Sequence, residues 1–470
     1  MYLTLNKVNK FLLAFAIILI PFNSLPYFKD ILREMSNEGA FYPLSIAILI
    51  WGLMLLQSNK VRLPQHISVK ILGLFVLWIF LSISVNLPLV SLLETKGRTG
   101  IEKFLFQLIL LTFVILSSLL VYNVTIHFRT PLHTFRRYVT ISFLVAGTYS
   151  LIEIAFLAGN DWATYILQSF NPLIHEQGHM HEALLYFGRL RSVSGEASWF
   201  AMYCSFIFPW IFSYTFTERR YSWIYWLLTC YLFLLVILTI SRTAYVIVIA
   251  QLVLFLIGIL FVQQGKIRKG RIFILVAGFL IVLFIATITF KESIFAERTF
   301  FDVFASLSDM DNLSNIGRFG SQIAAFNIAL DYPFWGVGFG QYGFYMPDYV
   351  PQWAKVSVEI QEWMNATPGT SWAPVQGLYS RIIAELGFIG LMIWIAMWLM
   401  VLIAGFKRYR INARLTGYHD TLGLSLLISI IGVLLSGLNA DSLRFFGYWI
   451  LLGMAWVYLR KPRASDLHMR

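Results

Sequence analysis

RIIAELGFIGLMIWIAMWLM, Arg381–Met400, is an apolar run that follows directly on about ninety residues of polar and aromatic sequence starting at Lys291. It is long enough to cross the hydrocarbon core as a helix. Similar runs occupy most of the chain, near residues 11–27, 41–57, 69–89, 104–122, 138–158, 195–216, 222–240, 243–263, 272–290, 382–404, 421–438 and 443–460, which makes about twelve spans. A chain of 470 residues that is 58% hydrophobic and 13% charged has no soluble globular counterpart. The expected fold is therefore an all-α polytopic membrane protein, and the long insertion between Lys291 and Arg381 is the main water-side feature.

Charge assigns the sides. Alternate loops of a twelve-span chain lie on opposite faces, and one face collects Lys7 and Lys10, Arg129, Arg136 and Arg137, Lys266 to Arg271, Lys407 to Arg414, and Arg460 to Arg463. Only Glu218, Asp420 and Asp466 oppose them there. By the positive-inside rule both termini are cytoplasmic and the long loop is external. The net charge of +12 is thus explained by membrane-flanking clusters, and no nucleic-acid partner is implied. The first apolar run has basic residues ahead of it and no small-residue cleavage site behind it, so it reads as a retained helix. Cys204 and Cys230 both fall inside spans and offer neither a disulfide framework nor metal-ligand spacing.

Three regions divide the chain: residues 1–290 with nine spans, the external loop 291–381, and residues 382–470 with three spans. The segment beginning at Arg318, RFGSQIAAFNIAL, has helical apolar spacing and stops at Asp331, Tyr332 and Pro333, so a short helix on the membrane surface is expected. Gly336, Gly338, Gly340 and Gly343 follow in a turn at the membrane boundary; no strand precedes them, which sets aside a dinucleotide loop. Unmatched loop lengths in the two halves argue against the inverted repeats of many transporters.

Charged residues near the external boundary are the candidates for chemistry, because charge there is costly unless paired or used. RLRSVSGEASWFAMY supplies Arg189, Arg191 and Glu196 at the opening of the sixth span; they form either a self-paired interfacial cluster or an arginine fork with a carboxylate in reach of a hydroxyl. Arg242 is held in the tight Ser241–Thr243 turn, and Arg318 opens the loop helix. Either Glu153 or Glu385 could be a buried partner for these arginines, or merely a helix-pairing residue. HEQGHMHE, from His175 to Glu182, lacks standard zinc spacing and reads as a solvated loop.

The order RSVSGEASWFA, then SR at a tight turn, then GR followed by DYPFWGVGFGQYG and LYSRIIAELGFIGL, resembles the O-antigen ligase and O-antigen or capsule polymerase superfamily from about Arg189 to Trp398. The resemblance implies a GT-C-like membrane glycosyltransferase that uses undecaprenyl-diphosphate-linked glycans as donor and acceptor at the periplasmic face of the bacterial inner membrane. It implies no cofactor and no metal, and it brings a chain-length regulator and a flippase as partners beside the membrane lipids. Arg191, Arg242 and Arg318 match the arginines that hold the diphosphate leaving group, with Arg318 also catalytic. Where ligases have a histidine ahead of the AELG span, this chain has Gln376, with Tyr379 shortly after it. That departure favours the polymerase over the ligase that transfers glycan to lipid A core. It leaves Glu196 as the base, or a mechanism resting chiefly on leaving-group stabilisation. Gln376, Tyr379 and Trp335 are expected along the glycan path. A lipid-linked oligosaccharide flippase or other transporter is the rival from another class.

Overall fold

A computed structural model describes residues 2–29, 33–58, 62–176, 188–218, 220–262, 313–416 and 420–460. The expected span at 272–290, the first part of the long loop, and His179 to Glu182 lie outside the described residues. The helices are α1 Tyr2–Ile18, α2 Phe41–Ser58, α3 Ile67–Val90, α4 Gly100–Thr125, α5 Pro131–Leu157, α6 Asp161–Ile174, α7 Ala197–Thr217, α8 Ser222–Leu238, α9 Arg242–Val262, α10 Leu313–Asp331, α11 Tyr342–Tyr349, α12 Val358–Met364, α13 Leu378–Thr416, α14 Thr421–Ser436 and α15 Phe446–Leu459. A two-residue hairpin pairs Glu94–Thr95 with Arg98–Thr99. The chain is an all-α polytopic membrane protein: among the described residues, α3, α4, α5, α9 and α13 are long and apolar enough to cross a membrane, and α2, α8, α14 and α15 are shorter apolar helices.

Sequence sets which helices lie inside. In α7 aromatic and small residues run around the whole circumference, and the helix is buried along nearly all its length. It packs on α14, α8, α9 and α5. The outer helices carry Leu outward, as lipid-facing helices do: Leu49 and Leu56 of α2, Leu77 of α3 and Leu227 of α8 are exposed. Small and amide side chains join the inner helices. Gln251 of α9, fully buried, donates to the carbonyls of Ser205 in α7 and Ile428 in α14 at 2.8 and 3.1 Å.

Helix starts follow local chemistry. Thr99 caps α4 by accepting from Glu102 N–H at 3.2 Å, and Asp420 caps α14 by accepting from Gly423 N–H at 3.0 Å. Pro131 opens α5, where its missing N–H costs nothing. The first helix departs from expectation, spanning Tyr2–Ile18 rather than residues 11–27. Pro21 cannot continue a helix and disfavours helical geometry just before it. The polar start is recruited by packing instead, with Asn9 donating to Met54 and Lys10 over the Phe128 ring. Residues 159–194, expected as loop, contain the additional helix α6.

Helix α13 is broken at Gly387, whose φ of 70° and ψ of −177° interrupt the hydrogen-bond ladder. The freed carbonyls of Ala384 and Glu385 accept from Val337 and Gly338, each at 3.0 Å, while Phe388 N–H donates to Pro333 O at 2.8 Å. From α3, Trp78 donates to Leu386 O, Ser82 to Trp335 O and Asn86 to Gly336 O. The glycine turn is therefore a plug that satisfies an interrupted helix, as irregular backbone in a membrane protein must. Gly336 shows why glycine is needed there: a Cβ would stand 2.4 Å from the Glu385 backbone.

Beyond the plug, the loop folds on an apolar core of its own, including Ile316, Ala325, Ile328, Met346, Ile360 and Trp363. The expected loop helix is α10. Its inner face buries Ala324, Ala325 and Ile328, and its outer face exposes Phe319, Ile323, Phe326 and Leu330 at helical spacing, which suits a helix resting on a membrane surface.

Candidate active site

The RSVSGE segment is stitched in place by its serines. Ser192 N–H donates to Glu153 Oε2 at 2.7 Å and Ser192 Oγ to Ala146 O at 2.8 Å, both on α5. Ser194 Oγ donates to Pro21 O at 2.6 Å, and Gly195 N–H to Asn23 Oδ1 at 2.9 Å. Gly195 packs so closely on Ser24 that a Cβ would stand 2.8 Å from it. These bonds fix Arg191 and Glu196 on either side of a short, rigid turn. Arg191 is 5% exposed, donates to Gly195 O at 3.3 Å and stands beside Glu153, so one of the two buried carboxylates weighed from sequence is a neighbour of this arginine. The other, Glu385, pairs with Arg381 of its own helix at 3.3 Å.

Arg191 and Glu196 line a cavity of about 190 Å³ together with Asn23, Ser24, Asn37, Glu38, His175, Glu176, Trp199 and Arg444. Glu176 pairs with Lys29 and accepts from Asn37 Nδ2 at 2.9 Å, closing one wall. His175 does not sit in a solvated loop. It is 5% exposed, and neither ring nitrogen makes a hydrogen bond of normal geometry, although the Ser192 backbone is close by. Burial first, and then the nearby Arg191, hold its pKa down at about 3, so the imidazole is neutral. Glu38 is 7% exposed, and burial lifts its carboxyl to about 7 against the opposing pull of Arg444.

A second cavity, about 270 Å³, adjoins the first through Arg444, which lines both. Lys103, Gln107, Tyr342, Trp372, Arg381, Glu385, Asp441 and Ser442 contribute to its walls. Lys103 Nζ lies 4.4 Å from the Trp372 ring centre. Arg381 donates to Gln107 Oε1 at 3.0 Å and to Asp441 O at 3.2 Å.

Arg242 and Arg318 line neither cavity but lie on a ring of elements, linked partly by hydrogen bonds and partly by electrostatics, that returns to Glu196. Arg189 Nε donates to Thr239 O at 2.8 Å and Leu190 N–H to Leu238 O at 3.0 Å, which joins the RSVSGE segment to the turn holding Arg242. Arg242 donates to Asn315 Oδ1 of α10 at 3.0 Å, and one turn further along Arg318 donates to Asn439 Oδ1 at 3.3 Å. Glu359 closes the ring. Partial burial raises its carboxyl, Arg318 pulls it down, and Glu196 and Glu362 push it up again. Arginines from three separate parts of the chain thus lie along this ring, Arg191 electrostatically coupled to Glu153 and Glu196, Arg318 to Glu359, and Arg242 hydrogen-bonded to Asn315; arginines can hold an anionic leaving group.

Of the glycan-path candidates, Gln376 adjoins that ring, because Gln322 of α10, its partner, also donates to Leu438 O beside Asn439. Gln376 has φ 60°, and its carbonyl accepts from Gln322 at 2.8 Å. Tyr379 donates to Leu434 O at 2.7 Å, towards α14. Trp335 stacks on Trp78 of α3 with ring centres 4.5 Å apart.

Residues 227–395 match the family model described as O-Antigen ligase. Over this stretch, about a third of the chain, the sequence is similar to the O-antigen ligase family, which supports the ligase and polymerase superfamily. The match takes in Arg242, Arg318, Trp335, Gln376 and Tyr379, and leaves Arg191, Glu196, His175 and Glu38 ahead of it. No curated protein matches the chain. The match supports a ligase- or polymerase-type function, and members of that family are membrane glycosyltransferase-like enzymes.

Sequence reasoning passed over Glu38 and Glu359, read His175 only as a loop histidine and gave the Asn439–Arg444 turn no role. One signal was available for the last: Asp441 and Arg444 stand between two apolar runs too closely spaced to leave charge there idle. Glu38 and His175 carried no such signal, because nothing near them in sequence announces their shared cavity.

Proposed function

We propose that this protein polymerises undecaprenyl-diphosphate-linked oligosaccharide repeat units at the periplasmic face of the inner membrane. The observation that carries the reading is that Arg191 and Glu196 line one of two cavities sharing Arg444, while Arg242 and Arg318, bound to Asn315 and Asn439, stand on the elements beside them. A diphosphate leaving group needs localised positive charge, and arginines provide it with directional hydrogen bonds. Two adjoining cavities suit a reaction with two bulky substrates. A hydroxyl of one lipid-linked unit attacks the anomeric carbon of the glycan on a second carrier, the new C–O bond forms as the old one breaks, and the lipid diphosphate departs with the bonding electrons. Direct displacement inverts the anomeric centre. Glu196 sits at the cavity edge, where a carboxylate can orient or deprotonate the incoming hydroxyl. Gln376, Tyr379 and Trp335 are retained as contacts for the glycan further out.

Gln376, standing where ligases have histidine, supports polymerase over ligase. Purified protein given only lipid-diphosphate repeat units separates the two. A ladder of longer glycans supports the polymerase, product formed only when lipid A core is added supports the ligase, and substrates left covalently unchanged support a flippase.

A further inference from the structure

Glu38 lies in the linker between α1 and α2, far in sequence from every arginine of the proposed site, yet its side chain lines the first cavity. It shares that cavity with five titratable or charged neighbours from three other parts of the fold: Arg191 and Glu196 from the segment before α7, His175 and Glu176 from the end of α6, and Arg444 from the turn before α15. Glu196 is exposed and accepts from Ser198 Oγ at 3.0 Å, whereas Glu38 is 7% exposed.

We propose that Glu38 is the catalytic base of this site, taking the proton from the attacking hydroxyl as its oxygen bonds to the anomeric carbon. The assignment rests on the glycosyl-transfer reading above. The proton passes to the Glu38 carboxylate, the hydroxyl oxygen becomes the new glycosidic oxygen, and the diphosphate leaves as an anion on the arginines. Arg444 is the positioning residue, since it faces Glu38 and also lines the second cavity, where the other substrate would lie.

The environment suits the role. A general base works best when its pKa is near the working pH, and burial lifts Glu38 to about 7. The arginines that would grip the diphosphate are also too basic to accept a proton, which leaves carboxylates and His175 as the choices. His175 is held down near 3 and is therefore a poor acceptor.

The test uses the full-length protein in nanodiscs with synthetic lipid-diphosphate repeat units, read as elongation rate from mildly acid to mildly alkaline pH. Wild type should gain rate as pH rises through about 7. Glu38→Gln should elongate on the order of 100-fold more slowly and lose that acid limb, while still retaining radiolabelled lipid diphosphate. Glu38→Asp should keep the limb at a reduced rate, and it carries the test should the Gln variant not fold. An acid limb that survives in Glu38→Gln, an Asp variant at full rate, or a limb that instead disappears in Glu196→Gln each overturns the assignment. A wild type that forms no new glycosidic bond overturns the glycosyltransferase reading and this inference with it, whereas the preceding outcomes leave that reading standing.

Discussion

Val375 donates its backbone N–H to Asp441 Oδ2 at 2.8 Å, latching the end of the long loop to the turn between α14 and α15. Arg381 strengthens the latch by donating to the Asp441 carbonyl at 3.2 Å, and the same turn carries Asn439, the partner of Arg318. Asp441→Ala leaves the Val375 donor unsatisfied, which should cost about 1–3 kcal/mol and slow elongation by loosening both cavities. Asp441→Asn keeps an acceptor oxygen and should fall between the alanine variant and wild type. Thermal unfolding in detergent and the elongation assay report the two effects.

Arg318, held on the ring beside the cavities, is proposed to grip the leaving group, and its removal should slow the chemistry. Loss of one donor to a developing oxyanion typically costs on the order of 100-fold in rate, and Arg318→Ala should show at least that. Arg318→Lys keeps the charge without the fork and should recover only part of the activity. Full elongation by the alanine variant would remove Arg318 from the mechanism.

Gly387 should tolerate no side chain. Its φ of 70° is one that other residues rarely adopt, and a Cβ would meet Phe334 O at 2.2 Å. Gly387→Ala is expected to lose the plug and much of the yield of folded protein. Gly52→Ala is the control, since nothing lies within 4 Å of a Cβ there and little change should follow.

Gln251→Leu removes two interhelical hydrogen bonds from the centre of the bundle. Such bonds average about 0.6 kcal/mol in membrane proteins and reach about 1.7 kcal/mol, so a modest fall in unfolding temperature is expected with elongation nearly unchanged. A collapse of activity at wild-type stability would show that Gln251 does more than join helices.

Glu38 also makes stability depend on pH, with a definite sign. Its carboxyl is raised from the ordinary 4.5 to about 7 in the folded protein. Below 4.5 it is protonated in both states; as pH rises from there to about 7, the unfolded chain ionises first and stability falls. Glu38→Gln lacks this loss. Its unfolding temperature should exceed that of wild type at mildly alkaline pH, and the difference should shrink towards pH 4.5. A constant difference across that range would mean the carboxyl is not shifted.

How much was legible follows from the range of the forces involved. Long apolar runs, their alternation of charge, the loop helix before Asp331 and the glycine turn are local consequences of hydrophobicity, electrostatics and backbone sterics, and all can be seen in the order of residues. So can the three arginines, because charge beside a membrane span stands out. The break in α13 was not visible, since Gly387 looks like any helix glycine until Val337 and Gly338 arrive to satisfy the carbonyls it frees.

By itself, then, the sequence determined an all-α membrane protein and put forward Arg191, Arg242 and Arg318 as candidates to serve an anionic group. Only the tertiary structure decided that Glu38, His175, Arg191 and Arg444 share a cavity, and that Arg242 and Arg318 stand on a ring beside it rather than in its walls. The reason is physical. Burial of a carboxylate or an imidazole depends on which helices pack around it, and those helices come from opposite ends of the chain, where no local pattern couples them.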